Sequence, residues 1–428
     1  MNYVLSPKLI IAYILVVSVI MDIAFGVLEY YGLSFIRLSL VYRVSILLVF
    51  FVVLMRQADA EAWYVKSILL LWLLSMSVWI VVQGDLPIIL DVIFFLKTLF
   101  PLCIAFIVSS ALQRAYLAGD NIEESVLSGI VAYGIIASIS IIFSFLTGLG
   151  RNTYGGWAFG IKSFFTGGND IGLTMLVSLV FAWVFLWRKV SFIHLVLVLI
   201  LIFSIPLIGS RASWAGGAGV TVAFALAFLL FKRKGGANTT MVRVLILSVA
   251  LVLTVYAAKF VDDNIEDIAF NIRQVNELME GVSPRVKLQH AGSAVLEQRS
   301  PVLDAFGQGT SFFYKVYNQY YLGLKLPEGT EHYKAVEQDL LDLFGMYGYL
   351  LGSAFLLYHI YYWVAALRNF MVRQGILCFG YFFALSLFLF HGLLAGHAMS
   401  SPQVGTLIGS IYGLMRFRRW RLNTVAAQ

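Results

Sequence analysis

Apolar runs separated by short polar breaks recur along this chain almost from end to end. They fall near residues 8–28, 38–55, 64–82, 88–111, 124–147, 170–187, 191–208, 213–231, 241–260, 341–366, 374–395 and 402–417. Runs of about 20 apolar residues cross roughly 30 Å of hydrocarbon as helices, so the pattern predicts twelve transmembrane helices. One long hydrophilic stretch, 261–340, interrupts it. The chain therefore divides into nine helices over 1–260, a large loop over 261–340, and three helices with a basic tail over 341–428. A transmembrane barrel would show short alternating segments instead. No internal repeat is visible, which argues against a transporter built from inverted halves.

Composition agrees with this pattern. The chain is 60% hydrophobic and only 12% charged, with a mean hydropathy of +0.86, whereas soluble domains carry about 25% charged residues. The first run is long, has Lys8 as its only basic residue and is followed by further runs, so it reads as a span rather than a signal peptide. Cys103 and Cys378 are 275 positions apart, inside apolar runs, which disfavours disulfide or metal roles. The net charge of +7 is not a nucleic-acid signal, because much of it sits at short loop ends.

Charge also sets an orientation. With a cytoplasmic N-terminus, the inward short loops and tails carry Lys8, Arg56, Lys66, Arg114, Arg188, Lys189, Lys232, Arg233, Lys234, Arg243, Arg368, Arg373, Arg416, Arg418, Arg419 and Arg421, as the positive-inside rule requires. Both termini then face the cytoplasm. The large loop faces outward, as do the 148–169 connection and the turns at 209–212 and 396–401.

A largely apolar chain keeps few places for polar chemistry, so candidate residues converge on the outward face. The end of the loop reads Glu337-Gln338-Asp339-Leu340-Leu341-Asp342. A carboxylate there is favoured by the helix dipole; it is also placed to act as a general base at the edge of the lipid. Arg211, between two apolar runs, suits bidentate phosphate binding or simple snorkelling to headgroups. Arg285 and Lys287 open a short amphipathic helix that ends towards Gly307-Gln308-Gly309; both charges also fit a solvated loop. The stretch from Arg151 to Gly172, with Trp157, Lys162 and Asn169, reads as an interfacial aromatic belt or as a platform for sugar rings. Asp22, Arg43, Asp91 and Lys97 lie inside apolar runs, where charge is costly. Asp91 and Lys97 are six residues apart, too far round one helix to pair. His391 and His397 flank a glycine turn and read as structural rather than metal-binding.

The order of these features resembles the O-antigen ligase and polymerase superfamily, membrane enzymes that join lipid-linked bacterial surface oligosaccharides. Ser210-Arg211 after a mid-chain span, Arg285 early in the loop, Pro301 and Gly307 to Gly309 match that family. Glu337, where ligases carry a histidine, precedes Gly348 with ten residues between, and Tyr347 also fits the pattern. Glu-x-Asp at this place, with the Gly160 to Gly172 pattern, is similar to the polymerase branch. The resemblance spans roughly 150–365.

The resemblance implies an all-α, polytopic, GT-C-like glycosyltransferase of the bacterial inner membrane, with its active site periplasmic. Its substrates would be polyprenyl-pyrophosphate-linked oligosaccharide donor and acceptor held in the lipid bilayer. Transfer would be metal-independent and need no cofactor, and a chain-length regulator protein would be a partner. Glu337 would be the general base, Arg211 and Arg285 would neutralise the departing pyrophosphate, and Asp339 would orient the acceptor or tune Glu337. Arg151, Trp157, Lys162, Asn169, Lys287, Arg299, Gly307, Gly309, His332 and Tyr347 would line the substrate path. Two alternatives compete with polymerase: a ligase passing finished glycan to another acceptor, and a lipid-oligosaccharide flippase or other transporter.

Overall fold

The computed structural model describes residues 6–33, 35, 38–83, 88–153, 159–230, 284–322, 336 and 338–427. Most of these are helical. In chain order the helices are α1 (Pro7–Tyr30, with a π-helical turn at Tyr13–Val17), α2 (Leu38–Met55), α3 (Ala60–Gln83), α4 (Ile88–Leu117) and α5 (Glu123–Thr147). A two-stranded antiparallel ribbon follows, β1 (Arg151–Asn152) with β2 (Ile161–Ser163). Then come α6 (Gly168–Arg188), α7 (Phe192–Leu207) and α8 (Arg211–Leu230). Three short helices belong to the large loop: α9 (Pro284–Glu297), α10 (Pro301–Phe306) and α11 (Thr310–Leu322). The last three are α12 (Asp339–Arg373), α13 (Ile376–Leu394) and α14 (Pro402–Ala427).

Eight of these, α1 to α6 with α12 and α13, are long and apolar enough to cross a membrane. Such a chain is a multi-pass, all-α membrane protein, because lipid offers no partner for a backbone N–H or C=O and the helix satisfies both internally. The apolar runs expected at 191–208, 213–231 and 402–417 appear as α7, α8 and α14. The run at 241–260 lies outside the described residues.

Two packing features organise the bundle. α6 is buried on every side from Ile171 to Leu186, and it packs against α5, α7, α8, α13 and α14. Its sequence is apolar all round, the signature of a helix with no outward face. α14 lies along α4 in the most extensive helix pairing of the bundle. Gly405, Gly409 and Gly413 form its contact stripe, and a β-carbon at Gly409 would come within 2.4 Å of the Pro101 carbonyl oxygen. Small residues at this spacing let two backbones approach closely, the main route to helix association where the hydrophobic effect is absent.

α12 is broken. Gly348 sits at φ 68°, ψ −178° inside it, a conformation essentially restricted to glycine. The break strands the carbonyls just ahead of it, and the loop supplies their donors. Gln308 N–H donates to Gly345 O at 3.3 Å and Gly309 N–H to Met346 O at 2.9 Å. Arg299 Nη1 donates to Phe344 O at 2.8 Å. Backbone approaches backbone so closely that a β-carbon at Gly307 would lie 2.4 Å from Met346 O, and one at Gly348 would lie 2.2 Å from Gly307 N. Trp79 Nε1 fastens the same segment from α3 by donating to Phe306 O at 2.9 Å.

Gly348→Ala and Gly307→Ala should therefore each destabilise the protein by about 2–4 kcal/mol, combining a disallowed φ with backbone overlap. Gly219→Ala is the control, since nothing lies near its position. Thermal unfolding in detergent measures the difference; a midpoint for either variant equal to that of Gly219→Ala would refute the interlock.

Candidate functional site

The break in α12, the 396–401 turn and the starts of α6 and α8 meet at one end of the bundle, called here the loop end. Asp339, the first residue of α12, is buried. Its carboxylate accepts the Met399 N–H at 2.9 Å and lies against Gly392, where a β-carbon would come within 2.7 Å of it. Asp342, one turn further, is also buried and accepts the Val336 N–H at 3.3 Å. The Gln338 carbonyl accepts the Asp342 N–H at 3.0 Å. Val336 and Gln338, which flank position 337, are thus both tied to the first turn of α12. Glu337 itself lies outside the described residues, as do Trp157 and His332. Arg285 belongs to α9, but its side chain lies outside them too.

Charges follow one another inward from Asp339. Its electrostatic neighbours are His397, Asp342 and Asp170. Asp170, in the first turn of α6, is flanked in turn by His397, Ser401, Lys97 and Arg43. Lys97 lies among Arg43 and Asp170, with its ammonium 4.6 Å from the Phe94 ring centre. Arg43 closes the row by pairing with Asp22 at 2.8 Å, and Ser39 donates to the same carboxylate at 2.6 Å. Charges that are costly singly in an apolar bundle thus lie beside groups of opposite sign, Asp22 with Arg43 and Asp170 with Lys97 and Arg43, which offsets part of the penalty. Asp91 has a different role. It accepts the N–H groups of Thr310 and Ser311, capping α11 from the neighbouring helix α4.

His397 lies near both carboxylates, with φ at 65°, a left-handed conformation that non-glycine residues adopt rarely. The turn that holds it so is tightened by bonds from Ala395 and Gly396 N–H to His391 O, at 2.7 and 3.0 Å. Sequence reading placed this histidine among structural residues and did not connect it to Asp339 or Asp170. The available signal was the Ala-Gly-His turn between two apolar runs; nothing local shows which acids face it.

Arg211 starts α8 and is exposed. Ser210 caps the helix ahead of it, accepting the Ser213 N–H at 3.2 Å. The Ser213 hydroxyl lies so close to Gly172 of α6 that a β-carbon there would be 2.2 Å away. Arg211, Asn169, Asp170 and Asp339 therefore share one end of the bundle. The ribbon joins them: Thr153 donates to Ile208 O at 2.7 Å, and a β-carbon at Gly160 would come within 2.6 Å of the same carbonyl. Arg151 pairs with Glu29 at 2.7 Å. Lys162 donates to Thr166 O at 3.0 Å, and partial burial, with Arg151 nearby, holds its pKa below the ordinary lysine value.

The remaining candidates fall into two groups. Arg299, Gly307, Gly309 and Tyr347 surround the break in α12. Tyr347 is fully buried, with its hydroxyl 3.2 Å from that of Thr98. Lys287 is exposed on α9. Arg299 is buried, 3.4 Å from Asp304 through Nε, and desolvation pulls its pKa below the usual arginine value. Among the described residues, no three or more His, Cys, Asp or Glu side chains are arranged to hold a metal ion.

No protein-family model matches this chain, and no curated protein matches it.

The carbonyls that Arg299 serves predict a structural effect for its substitution. Arg299→Met should cost about 1–3 kcal/mol, the weight of a buried charge-assisted bond. Arg299→Lys should restore part of it, because one nitrogen, Nη1, makes both carbonyl bonds and an ammonium reaching the same place can donate to both. Denaturation midpoints in detergent decide; wild-type stability in Arg299→Met would remove Arg299 from the interlock.

Proposed function

We propose that this protein is a membrane glycosyltransferase that polymerises oligosaccharide repeat units carried on polyprenyl pyrophosphate. The reading rests on the motif resemblance, and the observation that best supports it is the gathering at the loop end. Two acidic side chains, Asp339 and Asp342, stand at the start of a broken helix next to position 337. Arg211 opens a helix at the same end. Membrane enzymes acting on lipid-anchored sugars need this arrangement, with polar chemistry at the rim and apolar helices below to receive the lipid tails.

In the proposed reaction an acceptor hydroxyl oxygen attacks the anomeric carbon of the donor glycan. The carbon–oxygen bond to the pyrophosphate breaks, and polyprenyl pyrophosphate leaves with the electron pair. Glu337 takes the hydroxyl proton, a contribution of about 10²–10⁴-fold in such sites. Arg211 and Arg285 meet the charge that develops on the leaving group. Asp339, held by the Met399 amide beside His397, orients the acceptor and tunes its acidic neighbour. The loop end then faces the periplasm and the basic end of α14 the cytoplasm, in keeping with the positive-inside rule.

One observation favours a second reading. The row Asp22, Arg43, Lys97 and Asp170 reaches about two and a half turns into α4 from its start. Charges within a bundle are a hallmark of transporters. Loss of a transporter would trap lipid-linked units in the cytoplasmic leaflet, whereas loss of a polymerase would leave single units on the surface.

Glu337→Gln and Arg211→Ala should insert at wild-type levels yet leave only single repeat units on the surface glycan. Asp339→Asn should shorten the chains and shift the pH dependence of polymerisation in membranes. Wild-type chain length in both Glu337→Gln and Arg211→Ala would end the proposal.

A further inference from the structure

The end of the bundle opposite the loop end holds a second constellation that glycosyl transfer does not use. A cavity of about 670 Å³ opens there between α3, α12 and α14, within the size range of small-molecule sites. Its charged lining is balanced. Arg416 pairs with Asp59 and lies 3.4 Å from Glu61; Arg419 also pairs with Glu61. Tyr358 donates to Glu61 at 2.9 Å, and Tyr362 donates to the same oxygen. Arg416 is nearly fully buried, stacked 3.8 Å from the Phe106 ring centre, and its Nη1 has no hydrogen-bond partner among the described residues. The Arg419 side chain beside it is 42% exposed, so its guanidinium is open to a ligand oxygen.

The cavity also touches the bundle's outer surface. Leu357 and Tyr361 line it and are 58% and 46% exposed, on a helix long and apolar enough to cross a membrane. Tyr361 stacks under Arg419, and Trp420 lines the same wall.

We propose that this cavity binds a bilayer phospholipid whose headgroup carries both a phosphate and a primary ammonium, the ethanolamine type. The phosphate meets the exposed guanidinium of Arg419, as charge-assisted anion recognition favours. The ammonium meets the carboxylate of Asp59, whose side chain is 54% exposed. An acyl chain leaves past Leu357 into the bilayer. Two carboxylates beside two guanidiniums select a zwitterion over an anionic headgroup. A primary ammonium can donate hydrogen bonds to Asp59; a quaternary one cannot. This site stands independently of the glycosyl-transfer reading.

The test uses the purified full-length protein, delipidated in detergent. Native mass spectrometry follows binding of phosphatidylethanolamine, phosphatidylglycerol and phosphatidylcholine with identical chains, and of free phosphoethanolamine. The ethanolamine lipid should bind about tenfold more tightly than the others, the weight of one charge-assisted hydrogen bond. Leu357→Trp, which fills the mouth, and Arg419→Gln, which leaves Glu61 paired with Arg416, should abolish that preference while both variants stay folded by thermal unfolding. Equal binding of the three lipids, preference for the glycerol headgroup, or an unchanged preference in folded Leu357→Trp would overturn the proposal. Equally tight binding of free phosphoethanolamine would overturn the lipid as its occupant.

Discussion

A helix broken inside a membrane protein must find donors for the carbonyls it abandons, because hydrocarbon supplies none and each unsatisfied group costs several kcal/mol. α12 meets this demand with a segment folded from the large loop. The backbone amides of Gln308 and Gly309 and the guanidinium of Arg299 take the carbonyls of Phe344, Gly345 and Met346. This contact holds the start of α12. It fixes where the first turns of α12 stand, and with them Asp339 and Asp342.

Much of this architecture can be read from the sequence, and the reasons for the rest are physical. The apolar runs give the helices because a period-free greasy segment of sufficient length has no other stable form in lipid. Gly307 and Gly309 are visible as a Gly-x-Gly pair, but their partners lie some forty positions later, and no local pattern reveals that a helix will break there. Arg299 reads as one more loop arginine until the carbonyls of Phe344 and Gly345 appear beside it. The misfit of Asp22, Arg43, Asp91 and Lys97 with their apolar surroundings is plain from the chain. Their partners come from other helices and only the fold supplies them. Glu337, Trp157 and His332 lie outside the described residues, so the roles given to them rest on resemblance alone.

The two ends of the bundle solve the problem of buried charge differently. At the loop end, acids and bases from several helices lie along one row that ends at carboxylates near His397. At the other end, arginines of α14 clamp acids at the starts of α3 and α5. Arg416 and Arg419 hold Glu61, and Arg418 and Arg421 hold Glu123. The first arrangement buries Asp339 and Asp342 at the start of α12, and the second leaves a balanced pocket.

α14 takes part in both. The turn leading into it brings Met399 and His397 to Asp339, its glycine stripe lies along α4, and its far end carries the arginine clamps. During synthesis, the earlier helices must wait in the bilayer with these acids unanswered until this segment leaves the ribosome. Maturation of both ends is thereby tied to a single late insertion event.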